Sequence, residues 1–139
     1  MLATKQIEIE KIAVSKLDTV DFNNIPFGRT FSDHMLIAEH IDGAWKSPKI
    51  MPYGPIPLAP ATSCLHYGQS IFEGMKAFKN KDDQPVLFRP EEHIKRLNAS
   101  ARRMSMPDFP KDLFMEAVHS MVDIAVSYTH LTLPTTPYV

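Results

Sequence analysis

Apolar and polar residues alternate through Gln-Ile-Glu-Ile-Glu at positions 6–10, the period-two pattern of a half-buried strand. The parity shifts at Ile12 and Val14, which predicts a bulge or a break. Residues 18–30 are polar and irregular. Met35–Ile41 reads as a second strand, Asp42-Gly43 as a hairpin turn, and Trp45 to about Met51 as the return. A proline-rich segment, 52–60, follows. In LHYGQSIFEGMKAF, residues 65–78, the first half predicts one or two helical turns ending at Gly74, since glycine suits a left-handed stop. Met75–Lys79 and Val86–Arg89 predict another hairpin across the polar Asn80–Gln84 connection. Pro90 opens a helix with Ile94, Leu97, Ala101 and Met104 as its buried stripe, and Pro107 ends that region. A second helix starts near Pro110, with Leu113, Phe114, Ala117, Val118, Met121 and Val122 on its core face. Strands first and helices after predict an α+β domain, an antiparallel sheet with helices.

Two stretches depart from this pattern. Ile50–Phe72 spans 23 residues with no formal charge besides a neutral His66. Its length suits a membrane span, but Pro52, Pro55, Pro57 and Pro60 break any helix and free backbone groups that lipid cannot satisfy. It is expected to be extended chain and turns buried in protein. The second stretch is SYTHLTLPTTPYV, residues 127–139, which has no Asp, Glu, Lys or Arg. Four threonines occur in residues 1–126, and Thr129, Thr132, Thr135 and Thr136 add four more. Helical spacing stops inside a running helix, so this tail reads as foreign to the gene, like a translated sequencing adaptor.

The chain has 139 residues and a net charge of -1, from 15 basic and 16 acidic side chains. That size allows one domain with a real core. The balance argues against nucleic acid as a partner, because the basic footprint is missing. Cys64 is the single cysteine, which excludes an internal disulfide and a multi-cysteine zinc site. The N-terminus has no apolar signal region, so a cytoplasmic setting without membrane contact is expected.

Few residues carry obvious chemistry. GQSIF, 68–72, misses the hydrolase elbow Gly-x-Ser-x-Gly because Phe72 replaces the second glycine, and Ser70 reads as an ordinary polar residue. The six histidines, 34, 40, 66, 93, 119 and 130, lack metal-ligand spacing, so no metal is expected. Cys64, in an apolar run, reads as inert packing. Arg96 lies beside Leu97 at the edge of the helical stripe, with Ser100 one turn on. A guanidinium there reaches a phosphate through two parallel hydrogen bonds, or lies on a solvated helix face, the commoner case. No glycine-rich phosphate loop occurs. Phe27, Tyr67 and Phe72 sit near Gly28, Gly68 and Gly74, and either line an apolar pocket or fill the core.

Taken together, FGRTFSDHMLIAE (27–39), LHYGQSIFEGMKAFK (65–79) and LFRPEEHIKRLNASARRMSMP (87–107) resemble the N-terminal part of a branched-chain amino acid aminotransferase. These are fold-type IV enzymes dependent on pyridoxal 5'-phosphate (PLP). The resemblance covers most of residues 5–126, in order and spacing as well as wording. It implies that residues 1–126 are a truncated N-terminal small domain, that 127–139 is a non-native tail, and that the C-terminal domain with the PLP lysine is absent. Lys76 in EGMKAF is therefore not that lysine, and no catalytic residue is expected in this chain.

The same resemblance implies ping-pong transamination by the intact enzyme, between leucine, isoleucine or valine and 2-oxoglutarate, giving 2-oxo acids and glutamate. Arg96 falls where the family places an arginine on the PLP phosphate. Phe27, Tyr67 and Phe72 match aromatics of the substrate side-chain pocket, and the Tyr67 position reaches a neighbouring subunit's site, which implies a homodimer. The alternatives are another fold-type IV enzyme, a D-amino acid transaminase or aminodeoxychorismate lyase, and a non-catalytic binding module that docks through residues 48–60.

Overall fold

The computed structural model describes residues 7–26 and 28–128. In chain order these form β1 (Glu8–Ile9), a 3-10 turn (Leu17–Thr19), β2 (His34–Ile37), β3 (His40–Ile41), β4 (Ala44–Trp45), β5 (Lys49–Pro52), α1 (Ser63–Tyr67), β6 (Ala77–Lys79), β7 (Pro85–Leu87), α2 (Pro90–Arg103) and α3 (Lys111–Tyr128). The α+β expectation holds. Strands precede the long helices, in a three-stranded sheet of order β1-β5-β2 and two hairpins, β3-β4 and β6-β7.

Asp42 and Gly43 turn the first hairpin with φ of 54° and 74°, the left-handed pair that a two-residue turn of matching twist requires. The predicted continuous strands are each split in two by a bulge. Lys46 N–H still donates to the Glu39 carbonyl at 2.8 Å, and Ile37 pairs with Lys49. Between those rungs the outgoing strand has only Ala38, whereas the return has Ser47 and Pro48. Proline suits the extra position because it has no N–H to leave unpaired.

The antiparallel expectation holds for β2 with β5 and for both hairpins, and β1 adds one parallel pairing that makes the three-stranded sheet mixed. β2 runs antiparallel to β5, but β1 runs parallel to it, pairing Ile9 with Ile50. A parallel neighbour needs a long connection, and residues 10–33 supply it between β1 and β2. The alternation that predicted β1 continues only until Glu10 N–H reaches the Ile50 carbonyl at 2.8 Å. At the parity shift the chain leaves the ladder, and Ile12 N–H donates to Nε2 of buried His34 at 3.0 Å. Accepting that bond leaves the neutral ring's proton on Nδ1. Asp33 next anchors the crossover, accepting from Ser15 Oγ at 2.5 Å and from Lys16 N–H at 3.0 Å. Burial opposes its ionisation, but these hydrogen bonds prevail and hold its pKa below the usual carboxylate value.

Ile50 is fully buried at the centre of this sheet. It clusters with Ile7, Ala117 and Ile124, and Leu36 and Met121 pack against them. The buried face of α3 thus includes the predicted Ala117 and Met121 and extends to Ile124. The helix itself runs to Tyr128, past the composition change at Ser127. Residues 129–139 lie outside the described residues.

Pro90 occupies the first turn of α2, directly after Arg89, which is left-handed at φ 49°. Ile94 and Ala101 bury the predicted stripe, and Leu97 and Met104 are half-buried. The helix stops before Pro107 by its own hydrogen bonds: Met106 N–H returns to Ala101 O at 2.8 Å and Ser105 N–H to Arg102 O at 3.2 Å, with Ser105 left-handed. The following turn is fastened from two sides. The Asn98 amide pairs with both backbone groups of Phe109, each at 2.9 Å. Trp45 Nε1–H donates to Asp108 O at 2.8 Å, and its ring meets Phe109 edge-on at 4.5 Å. The Asn80–Gln84 connection of the β6-β7 hairpin closes on Asn80 Oδ1, which accepts from Asp82 and Gln84 N–H at 2.9 Å each.

Two expectations for the charge-free run are corrected. The short helix α1 stops at Gly68, left-handed at φ 61°, and not at Gly74. Most of the run is also exposed: Ile56, Leu58 and Leu65 each show more than half their surface. The prolines that forbid a helix also remove the donors needed to join a sheet, so beyond β5 no ladder folds this segment into the core. Among the described residues no helix is long and apolar enough to cross a membrane.

The contrast between Ile50 and Ile56 is testable. Ile50→Ala is expected to destabilise the fold by about 2–5 kcal/mol, and Ile56→Ala by no more than about 0.5 kcal/mol. Urea unfolding of both variants checks this; equal losses would place the core elsewhere.

Candidate functional site

Helix α2 and the extended segment leading to β6 lie side by side, held at two points. Gln69 Nε2–H donates to the Met104 carbonyl at the C-terminus of α2, at 2.8 Å. Glu73 meets Arg96 and His93 further up the helix. The two contacts, Gln69 to Met104 and Glu73 to Arg96, lie four residues apart on the segment and eight apart on the helix side.

Glu73 Oε2 accepts from Arg96 Nε–H at 2.7 Å, and Oε1 accepts from Arg96 Nη2–H, making a two-pronged pair. His93, one turn before Arg96, brings Nδ1 to 3.0 Å from Oε1. A carboxylate oxygen only accepts, so Nδ1 is the donor wherever this contact is a hydrogen bond; Nδ1 lies also 3.2 Å from Arg96 Nη2. The Glu73 side chain is 10% exposed and that of Arg96 is 64% exposed. The Arg96 hydrogen bond is the main cause that draws the Glu73 pKa down to about 2; burial opposes it and His93 assists. The same pair raises the pKa of Arg96.

Of the five guanidinium N–H groups, Glu73 engages Nε–H and one on Nη2. Nη2 also lies beside His93 Nδ1, and Arg96 borders a shallow cleft of ≈ 290 Å³ together with Phe88, Arg89, Glu92 and His93. Two arginines, Arg89 and Arg96, thus border the same cleft. Glu92 is occupied by Lys95 at 2.7 Å, with Arg89 at 4.0 Å. A guanidinium fork matches carboxylate and phosphate oxygens alike, so the donor set suits an oxyanion.

The aromatic residues are arranged differently. Tyr67, at the end of α1, is 85% exposed, and Phe72 is 92% exposed. Neither lines the cleft that holds Arg96. Phe27 lies outside the described residues. A larger cleft of ≈ 420 Å³ is lined by Lys16, Asn24, Arg29, Phe31 and Tyr53 among others; Tyr67, Phe72 and Arg96 are not among its described lining residues. The Gly68-Gln69-Ser70 turn follows a helix and leads into extended chain, the reverse of the strand-to-helix elbow that exposes a nucleophilic serine. Sequence reasoning missed Glu73 and counted His93 only among six histidines. The available signal was a lone carboxylate in the apolar run SIFEGM, and a histidine three residues before Arg96 on one helix face.

Because the folded pKa of Glu73 lies below its ordinary 4.5, its contribution to stability is full above pH 4.5 and falls as the pH drops toward about 2. The Glu73→Gln variant is expected to lose this part of the acid sensitivity. Urea midpoints measured between pH 5 and pH 2 check it; parallel profiles for the two proteins would show that the carboxylate is not held.

No family model matches the chain. Individual relatives do. The chain is 42% identical over 121 residues to branched-chain-amino-acid transaminase 1 of Bacillus subtilis (strain 168), covering 86% of this chain and 34% of that protein. It is 38% identical over 122 residues to branched-chain-amino-acid aminotransferase 2 of the same organism, covering 87% and 34%. It is 46% identical over 103 residues to a probable branched-chain-amino-acid aminotransferase of Staphylococcus aureus (strain N315), covering 73% and 28%. The chain spans about a third of the length of the curated relatives it matches. Over most of its own length, then, the chain matches about a third of these branched-chain-amino-acid aminotransferases, as a fragment of such a protein would.

Proposed function

We propose that this segment is the small domain of a branched-chain amino acid transaminase and supplies the grip on the PLP phosphate. The observation that carries the reading is Arg96, held along one guanidinium edge by Glu73 and bordering an open cleft together with Arg89. PLP, when bound, supplies the electron sink that lets an amino group pass between carbon skeletons. This chain's share is binding and orientation. Arg96 holds the phosphate by parallel charge-assisted hydrogen bonds, and Arg89 adds positive charge at the same cleft. No residue of this chain is assigned the proton transfer.

The substrates of the intact enzyme are leucine, isoleucine or valine, with 2-oxoglutarate as amino acceptor, in a cytoplasmic homodimer. Tyr67 and Phe72 suit this reading as apolar surface presented outward, to be covered by the rest of the enzyme or by the second subunit. A pocket built from such aromatics separates substrates differing by one methylene by only about 1–3 kcal/mol, which suits an enzyme serving three similar side chains. The names of the relatives favour the branched-chain group over the other fold-type IV activities.

In the full-length protein, Arg96→Ala is expected to weaken PLP retention by about tenfold to a hundredfold, the loss of a two-pronged ionic contact. Fluorescence titration of the apoprotein with PLP measures it, and unchanged affinity would remove Arg96 from the site. Assays with leucine, D-alanine and aminodeoxychorismate separate the three chemistries.

A second reading draws on the exposure of Ile56 and Leu58, which a docking peptide requires. Against it, the end of that segment is fastened to α1: Pro60 O lies 2.6 Å from His66 Nε2, and Thr62 donates to Ala59 O. Limited proteolysis is expected to spare residues 59–62. Rapid cleavage there would favour docking.

A further inference from the structure

Resting on the reading of Arg96 as the phosphate anchor, we infer that Glu73 is the residue that positions it. An arginine on an exposed helix face samples many rotamers, and an anion that binds it must first freeze one. Here the freezing is done in advance. Glu73 sits 23 residues away in sequence and on a different element, so it does not move with the helix. It is nearly buried where Arg96 is not, and its segment is fastened at Gln69 four residues earlier.

The choice of edge matters. Glu73 takes Nε–H and one Nη2–H, the inner edge of the guanidinium. Glu73 does not engage the two Nη1 hydrogens, and Arg96 borders the cleft; Nη2 lies also 3.2 Å from His93 Nδ1. His93 braces the same carboxylate oxygen, at 3.0 Å from Oε1. Glu73 is thus a positioning residue, acting on the phosphate only through Arg96.

Simple charge arithmetic has the opposite sign. A carboxylate beside an anion site repels the anion, so deleting it should tighten phosphate binding. The other charges around the cleft, Arg89, Glu92 and Lys95, are the same in either case. The direction of the effect therefore separates positioning from electrostatics.

The experiment uses the full-length apoprotein titrated with PLP by fluorescence, with inorganic phosphate as competitor, in Glu73→Ala, Glu73→Gln, Arg96→Ala and the Glu73→Ala/Arg96→Ala double variant. Glu73→Ala is expected to weaken both PLP and inorganic phosphate on the order of tenfold. Glu73→Gln, which keeps one acceptor and the side-chain shape, loses less, and it carries the test if the alanine variant does not fold. With Arg96 already removed, Glu73→Ala is expected to add nothing, since its route to the phosphate is gone. Unchanged or tighter binding in Glu73→Ala and Glu73→Gln, with a clear loss in Arg96→Ala, would overturn the role of Glu73 and leave Arg96 in place. Additive losses in the double variant would also overturn it. No loss in Arg96→Ala would bring down the underlying reading of the site.

Discussion

Ile50 has a strand on each side and a helix packed over it, and the domain is organised around keeping it dry. Its neighbours Ile9 and Leu36 come from opposite ends of a long crossover, and Ala117, Met121 and Ile124 come from the last helix described. One buried position thus gathers three distant parts of the chain. The small size of this cluster explains why so much else is held by hydrogen bonds. Asp33 fastens the crossover, Asn98 and Trp45 fasten the turn between the long helices, and Asn80 closes the second hairpin. Each is a side chain that substitutes for a missing backbone partner, which is how irregular segments avoid orphaned polar groups.

The candidate site follows from the same economy. Helix α2 is amphipathic, with Ile94 and Ala101 turned inward, so Arg96 is left on the outer side. On a bare helix that arginine would be a solvated charge of little consequence. The extended segment from Gln69 to Glu73 gives it direction. Two hydrogen-bonded anchor points hold that segment to the helix, and they bring a nearly buried carboxylate against one edge of the guanidinium.

Much apolar surface is left open between residues 56 and 88, including Leu65, Tyr67, Phe72 and Phe88. The chain spans about a third of the length of its curated relatives. A domain of this length buries a smaller share of its surface than a complete enzyme of three times its size. The open aromatics and the cleft beside Arg96 lie on this uncovered surface.

The sequence by itself determined the local elements and the family likeness. Pro90 with the Ile94–Ala101 spacing specified α2, Asp42-Gly43 specified the hairpin turn, and three separate stretches of wording carried the likeness to the aminotransferases. All are properties of neighbouring residues or of short patterns, so no long-range contact is needed to read them. Tertiary structure alone decided the parallel pairing of β1, the bulge at Ser47-Pro48, the exposure of the proline-rich run, and the meeting of Glu73 with Arg96. Each of these depends on which distant segment lies alongside, and local propensity carries no information about that. Arg96 was legible as a candidate, but its partner was not, because a single glutamate in an apolar run gains its meaning only when the fold sets a guanidinium within 2.7 Å of it.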